Sequence, residues 1–322
     1  MTQELATFGL VNIAASPVRL FLVLAFLASF LPFAGSSYYR TATWQEKKPP
    51  VRYLPIQLPP MADLPEKLPK SFSAPGTSAM SVFIKDASSQ TVLYQKSPDE
   101  KLLPASTTKM LTALVVLDNC TLDQVLEVSS PPTGPQDSLM GLKKGEKVTV
   151  ANLLYGLLLA SGNDAAYTLA DNCSNQNEDF IESMNQKAQA LGMKNSHFTN
   201  PAGVDTPDHY STAYDLSILG QVVIEDSVLS EVVATKHKVA TDIDGQHVYR
   251  LENRNSLLGT VAGVSGIKTG YTQNAKECIV ISAKRDGHTI IVTLMGSQDR
   301  VTEATQLVDW VFDSFQWNQL WF

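Results

Sequence analysis

The sequence predicts a mixed α+β (α/β) domain, in which an antiparallel sheet is covered by helices and an all-helical subdomain is inserted between its strands. Three observations carry this. Short β-like runs, Met80 to Lys85 and Thr91 to Gln95, flank Asp86-Ala87-Ser88-Ser89-Gln90 as a probable hairpin. Two more, Glu277 to Ala283 and Thr289 to Met295, flank the turn signal Asp286-Gly287. Between the two pairs the chain reads mainly as helix. Strands at both ends of a helical middle suggest one shared sheet with helices packed over it.

In chain order, Val18 to Phe33 is almost continuously apolar, interrupted by Arg19, Ser29 and Pro32. It falls slightly short of the ~20 residues that span a bilayer. Residues 1–35 are therefore expected to be a signal peptide cut near Ala34-Gly35-Ser36 or, with no Ala-x-Ala site standing out, a signal anchor. Either reading attaches the chain to, or sends it across, the cell membrane. Charge cuts the other way: Arg40, Lys47, Lys48 and Arg52 follow the segment, against Arg19 before most of it. The positive-inside tendency would keep the bulk of the protein in the cytoplasm. The chemistry below needs it outside, and the small imbalance is the weaker argument.

Within residues 36–76, prolines recur at Pro49, Pro50, Pro55, Pro59, Pro60, Pro65, Pro69 and Pro75. That density resists helix and central strand and reads as a semi-rigid extracytoplasmic linker. The folded domain is expected over residues 77–322. Helical spacing covers Ser106 to about Asn119, Val150 to Leu159, Asp164 to Asp171 and Glu178 to Leu191. A last helix, Arg300 to Phe315, has Val301, Ala304, Val308, Val311 and Phe312 on one face for the core. Trp317, Trp321 and Phe322 after it could pack or rest on a bilayer.

A net charge of −7 over 322 residues argues against nucleic acid as a partner. The three cysteines form no CxxC or Cys/His cluster, and no metal or other cofactor is expected. Cys278, inside Glu277-Cys278-Ile279-Val280-Ile281, should pack as a small hydrophobe. Cys120 and Cys173 each follow a helix-like stretch; whether they pair depends on a proximity that sequence leaves open.

Three motifs carry chemistry. Ser106 and Lys109 are one helical turn apart, and the residues after Lys109 are apolar from Met110 to Leu117 apart from Thr112. A solvated surface lysine is the ordinary reading of an isolated SxxK. A lysine at the mouth of a buried helix is instead a candidate for a depressed pKa, and an uncharged amine is what a base for serine requires. Ser161-Gly162-Asn163 ends the apolar run Leu153 to Ala160. It is either a plain turn and cap or a hydroxyl relay, Ser161, beside an amide, Asn163, that binds substrate. Lys268-Thr269-Gly270 reads as a strand at a cleft edge, with a positive charge for a carboxylate, a hydroxyl, and room for a peptide backbone.

With Pro104-Ala105-Ser106-Thr107-Thr108-Lys109-Met110, Leu158-Leu159-Ala160-Ser161-Gly162-Asn163-Asp164-Ala165-Ala166, Phe198-Thr199-Asn200-Pro201-Ala202-Gly203, His209-Tyr210-Ser211-Thr212-Ala213-Tyr214-Asp215 and Gly266-Ile267-Lys268-Thr269-Gly270-Tyr271-Thr272, the chain resembles the serine-type D-alanyl-D-alanine carboxypeptidases over most of Ser78 to Phe315. These are the low-molecular-mass penicillin-binding proteins. The resemblance implies a serine β-lactamase/transpeptidase-like fold and an acyl-enzyme on Ser106. The substrate would be the D-Ala-D-Ala end of a peptidoglycan stem peptide, and β-lactams would inhibit. It also implies an oxyanion hole from the amides of Ser106 and Tyr271, with Arg300 and Arg254 among the substrate-binding arginines.

Two departures stand out. The chain stops soon after the last catalytic-domain helix, so an N-terminal anchor is expected to serve for attachment. Ala275-Lys276-Glu277 replaces the family's usual Ala-Gly-aromatic, which touches substrate preference. The Glu-x-x-Leu-Asn segment of hydrolytic β-lactamases is absent, and the five histidines lack HExxH spacing. Endopeptidase action on crosslinks, or a tethered module that acylates and barely turns over, are the alternatives.

Overall fold

The computed structural model describes residues 17–28, 63–69, 71–129, 138–174 and 179–318. The chain divides between Gln57 and Leu58. Upstream, α1 (Pro17–Ala28) is a helix of 12 residues whose Phe21, Leu24 and Phe26 are exposed. Among the described residues no helix is long and apolar enough to cross a membrane. Most of the expected anchor and linker lies outside the described residues.

The second unit opens on β1 (Leu64–Lys67), β2 (Ser81–Asp86) and β3 (Val92–Lys96). The helical region holds α2 (Lys109–Asn119), the β4 (Val125–Glu127)/β5 (Lys147–Thr149) pair, α3 (Val150–Leu158), α4 (Asn163–Asn172), α5 (Phe180–Ala190), α6 (Ala213–Glu225) and α7 (Ser227–Ala234). The β6 (His237–Thr241)/β7 (Val248–Glu252) hairpin leads back to the sheet. There β8 (Val264–Thr272), β9 (Lys276–Arg285) and β10 (His288–Ser297) follow, then α8 (Arg300–Ser314) and β11 (Phe315–Asn318). The order β3-β2-β10-β9-β8, antiparallel throughout, confirms that both ends of the domain share one sheet and leaves β8 at its edge.

Strand chemistry explains the layers. On β9, Cys278 and Val280 face one core while Ile279, Ile281 and Ala283 face another. Alternating side chains are thus buried on both faces, which is why the strand reads as a continuous apolar run. One core lies against α2 and α6, the other against α8. Gly220 of α6 lets that helix sit close to the sheet, since a Cβ there would lie 2.8 Å from Val280. Both expected hairpins form: Asp86 accepts from Ser89 N at 2.7 Å, and Asp286 and Gly287 have positive φ of 49° and 87°.

The proline-rich stretch departs from expectation. Leu64–Lys67 pairs with Phe315–Asn318, Pro65 facing Trp317, so the folded unit takes in residues upstream of 77. A two-stranded ribbon leaves an outer edge where a proline's missing N–H costs no ladder bond. Phe315 begins this strand instead of ending the helix. Trp317 donates to Asp86 Oδ1 at 2.9 Å and stacks on His288 with ring centres 4.8 Å apart. That indole packs on the domain; Trp321 and Phe322 lie outside the described residues.

Cys120 and Cys173 form a disulfide between the C-terminal ends of α2 and α4, 53 residues apart, while Cys278 is free and buried. Closing a loop of that length removes unfolded-state entropy worth about 4 kcal/mol. Replacing both cysteines by serine should therefore lower the melting temperature by roughly 10 °C. Calorimetry in non-reducing buffer checks this; an unchanged melting temperature would show that the bridge constrains nothing the fold does not already hold.

Candidate active site

Ser106 lies in a single 3-10 turn, Ala105–Thr108, that runs directly into α2. The sequence suggests an α-helical first turn; two close approaches tighten it. Gly203 presses on this turn so closely that a Cβ would lie 1.9 Å from Ala105 O, and at φ +80° only glycine is comfortable there. Gly270 of β8 likewise approaches Ser106 N, which a Cβ would meet at 3.0 Å. Backbone from two sides fixes where the Ser106 hydroxyl points.

Lys109 is fully buried, at 0% exposure. Its Nζ lies 2.9 Å from Ser106 Oγ, 2.7 Å from Asn163 Oδ1 and 2.6 Å from Ala202 O. Burial of an amine is tolerable only with such partners. The Ala202 carbonyl is presented by a turn in which Asn200 Oδ1 accepts from the backbone N–H groups of Ala202, Gly203 and Val204. In the sequence the Asn-Pro-Ala-Gly string is legible as part of the family resemblance, and its task appears only in the fold. The signal was an Asn before a Pro-Ala-Gly turn, a nest-forming pattern.

Ser161, between α3 and α4, has φ of 61° and is buried. A non-glycine residue in that region is uncommon and marks a constrained turn. Asp164 supplies the constraint. Its Oδ1 accepts from Met140 N (2.8 Å) and Ala165 N (2.9 Å), and its Oδ2 from Gly141 N (2.7 Å) and Leu142 N (3.0 Å). This buried carboxylate ties the turn to the 140–142 segment, a role that nothing in the motif announces.

Lys268 donates to Ser161 Oγ and to Thr269 O, both at 3.0 Å. Burial holds its amine well below the ordinary lysine range, and Lys109, Arg254 and Arg300 add repulsion in the same direction. The sequence places Lys268 at a cleft edge as a positive charge for a carboxylate. The fold instead brings both amines into one buried group, with Lys268 itself bearing a desolvation penalty.

The structure therefore joins Ser106, Lys109, Ser161, Asn163, Lys268, Thr269 and Gly270. Tyr271 is at the sheet edge, 62% exposed. Arg300 reaches the strand, Nη1 donating to Gly270 O at 2.7 Å. Arg254 is more peripheral: its exposed side chain donates from Nε to Ala160 O at 2.8 Å, next to Ser161.

His209 opens the His209-Tyr210-Ser211-Thr212-Ala213-Tyr214-Asp215 string, which by itself assigns it no task. It is 2% exposed; its Nδ1 accepts from Thr199 N (3.0 Å), leaving Nε2 to donate to Thr108 Oγ1 (3.0 Å). It thus ties the Ser106 turn to the Thr199–Gly203 segment. Burial, and then His197, lower its pKa to about 4, with Asp205 opposing. The folded chain keeps this imidazole neutral while the unfolded chain protonates it near pH 6.5, so its stability is present above about 6.5 and lost toward 4. The loss should be roughly 3 kcal/mol. Urea unfolding at pH 7 and 4.5 should show the advantage of wild type over His209→Gln shrinking on acidification; a pH-independent gap would refute it.

A serine hydroxyl on a buried lysine, with a second serine on a second lysine, defines a class: serine–lysine acyl-transfer sites. The sequence profile of the D-alanyl-D-alanine carboxypeptidase family (peptidase S11) matches residues 69–299. The chain belongs to that family. It is 32% identical over 251 residues to the D-alanyl-D-alanine carboxypeptidase DacF of Bacillus subtilis (strain 168), covering 76% of this chain and 64% of the relative. It is 34% identical over 257 residues to the D-alanyl-D-alanine carboxypeptidase of Streptomyces sp. (strain K15), covering 74% and 88%.

Among solved structures, the Streptomyces K15 DD-transpeptidase superposes with a TM-score of 0.69 at 32% identity, over 75% of this chain and 100% of that one. A penicillin-binding protein homologue from Mycobacterium tuberculosis gives a TM-score of 0.70 at 32% identity, over 77% and 96%. The fold is thus that of the DD-transpeptidases and penicillin-binding proteins. The chain spans just under two thirds of the length of the Bacillus relative.

Proposed function

We propose that the chain is a serine D,D-carboxypeptidase that removes the terminal D-alanine from peptidoglycan stem pentapeptides and is acylated by β-lactams. The environment of Lys109 Nζ carries the reading. A neutral amine has two N–H donors and one lone pair; two carbonyl oxygens, Asn163 Oδ1 and Ala202 O, take the donors, and the lone pair faces Ser106 Oγ. In that state the Ser106 hydroxyl donates to Lys109.

The Ser106 proton passes to Lys109 as Oγ bonds to the carbonyl carbon of the D-Ala–D-Ala peptide bond. The amides of Ser106 and Tyr271 receive the oxyanion, Gly270 permitting the close approach. The C–N bond breaks as the proton held by Lys109 passes through Ser161, whose hydroxyl Lys268 holds, to the leaving amine, which restores the neutral Lys109. Water then repeats the sequence on the acyl-enzyme. Asn163, its Oδ1 turned to Lys109, presents Nδ2 as its donor end, and the Arg300 and Arg254 charges, with the Lys268 amine as a donor, favour a carboxylate.

The catalytic domain is assigned to the outer side of the cytoplasmic membrane, attached through residues 1–35. The Cys120–Cys173 disulfide supports an oxidising compartment, and the bacterial cell-wall relatives agree.

The test is labelling by a fluorescent penicillin, with the label mapped to the Ser106 peptide, followed by D-alanine release from a synthetic pentapeptide. Both signals are expected. Label without release would make the chain an acylating binder, and neither would defeat the proposal.

A further inference from the structure

Glu277 lies on β9, next to the sheet-edge strand β8 that carries Lys268 to Tyr271. It pairs across β8 with Tyr271 and across β10 with Ser297. Its Oε2 accepts the N–H of Arg300 at 2.8 Å, and its Oε1 lies 3.9 Å from Arg300 Nη1, the nitrogen that donates to Gly270 O. The two side chains are 29% and 18% exposed. A carboxylate therefore lies beside the guanidinium that donates to the cleft strand. Arg300 acts within the cleft's field, since its charge is one of those that bear on Lys268.

Lys276, just before Glu277, has φ of 57°, a conformation that costs a lysine and suits a glycine. The strand is thus held in an uncommon local geometry at the point where it delivers Glu277 to Arg300.

We infer that Glu277 is a specificity-determining residue: it positions Arg300 and offsets part of its charge, so the site binds a ligand's free carboxylate more weakly than the arginine alone would. Two carboxylates compete for one guanidinium. A ligand with a neutral C-terminus has no stake in that competition. This inference takes its ligand from the carboxypeptidase reading.

Glu277→Gln keeps an oxygen for the Arg300 N–H and removes the charge. Binding is measured by calorimetry to Ser106→Ala and to Ser106→Ala/Glu277→Gln, which needs no turnover. The ligands are an acyl-D-Ala-D-Ala peptide and its C-terminal carboxamide.

Coulomb attraction at these distances predicts roughly three- to tenfold tighter binding of the free acid after the substitution, with the carboxamide unchanged. The gain should shrink in about 1 M salt, where the Debye length is near 3 Å. Arg300→Gln introduced alongside should abolish it. In the Ser106 enzyme the gain should appear in KM with kcat little altered. Glu277→Thr, neutral and smaller, must give the same discrimination if Glu277→Gln fails to fold.

Equal effects on both ligands, no effect, or no binding of either overturns the inference. D-alanine release with unchanged discrimination would leave the carboxypeptidase reading standing and sink this one alone. The free-acid gain in binding, seen without any release of D-alanine by the Ser106 enzyme, would do the reverse.

Discussion

Replacing Ser106 by alanine should abolish penicillin labelling and D-alanine release together. Lys109→Met should lower the acylation rate by about 10³- to 10⁴-fold, the scale of a general base. Lys109→Arg is the sharper variant. A guanidinium stays protonated at any accessible pH, so it can donate to Asn163 Oδ1 and Ala202 O but cannot accept the serine proton. It should recover part of the melting temperature lost in Lys109→Met and none of the rate. Stopped-flow acylation measures each. A Lys109→Arg enzyme within tenfold of wild type would show that Lys109 is a structural cation and that the base lies elsewhere.

Asp164→Asn is expected to have the largest effect on stability. The carboxylate takes four backbone N–H bonds at 2.7 to 3.0 Å and is 1% exposed. An amide of the same shape has one oxygen and one NH₂, so two N–H groups would face a donor. Losing two charge-assisted bonds should cost roughly 3 to 5 kcal/mol, about 10 °C in melting temperature. The Ser161 turn would loosen with it, and a misplacement near 1 Å can lower a rate about 10²-fold. Asp164→Ala should be no better. Equilibrium unfolding beside acylation kinetics tests both effects, and a variant within 0.5 kcal/mol of wild type would contradict the pinning role.

Much of this architecture was legible because local pattern and tertiary need agreed. Glu277 to Ala283 and Thr289 to Met295 are β-rich and flank a turn whose two residues both take positive φ. The helix after Ser106 is apolar on every side because it runs through the core. The site motifs were legible as residue types, though not as partnerships. That Lys109 meets Ala202 O, 93 residues along, depends on long-range folding no window can contain.

Other elements failed to show for identifiable reasons. The β6–β7 hairpin buries only Ala240, Tyr249 and Leu251, while Val239 and Val248 are exposed, so apolar residues fall on both faces and blur its period. Leu64–Lys67 has proline chemistry that points to a spacer; only its partner at the far end of the domain turns it into a strand. Ser161's backbone likewise answers to Asp164 and the 140–142 segment more than to its own side chain.

The β1–β11 ribbon has a mechanical consequence. Leu64 faces Asn318, so traction arriving through the segment before β1 meets the pairs in series: Leu64 with Asn318, then Pro65 with Trp317, then Glu66 with Gln316. Such a zipper parts one rung at a time under little force. Its four pairs would give way before tension reaches β8, and the serine pocket would keep its shape while residues before β1 were pulled away.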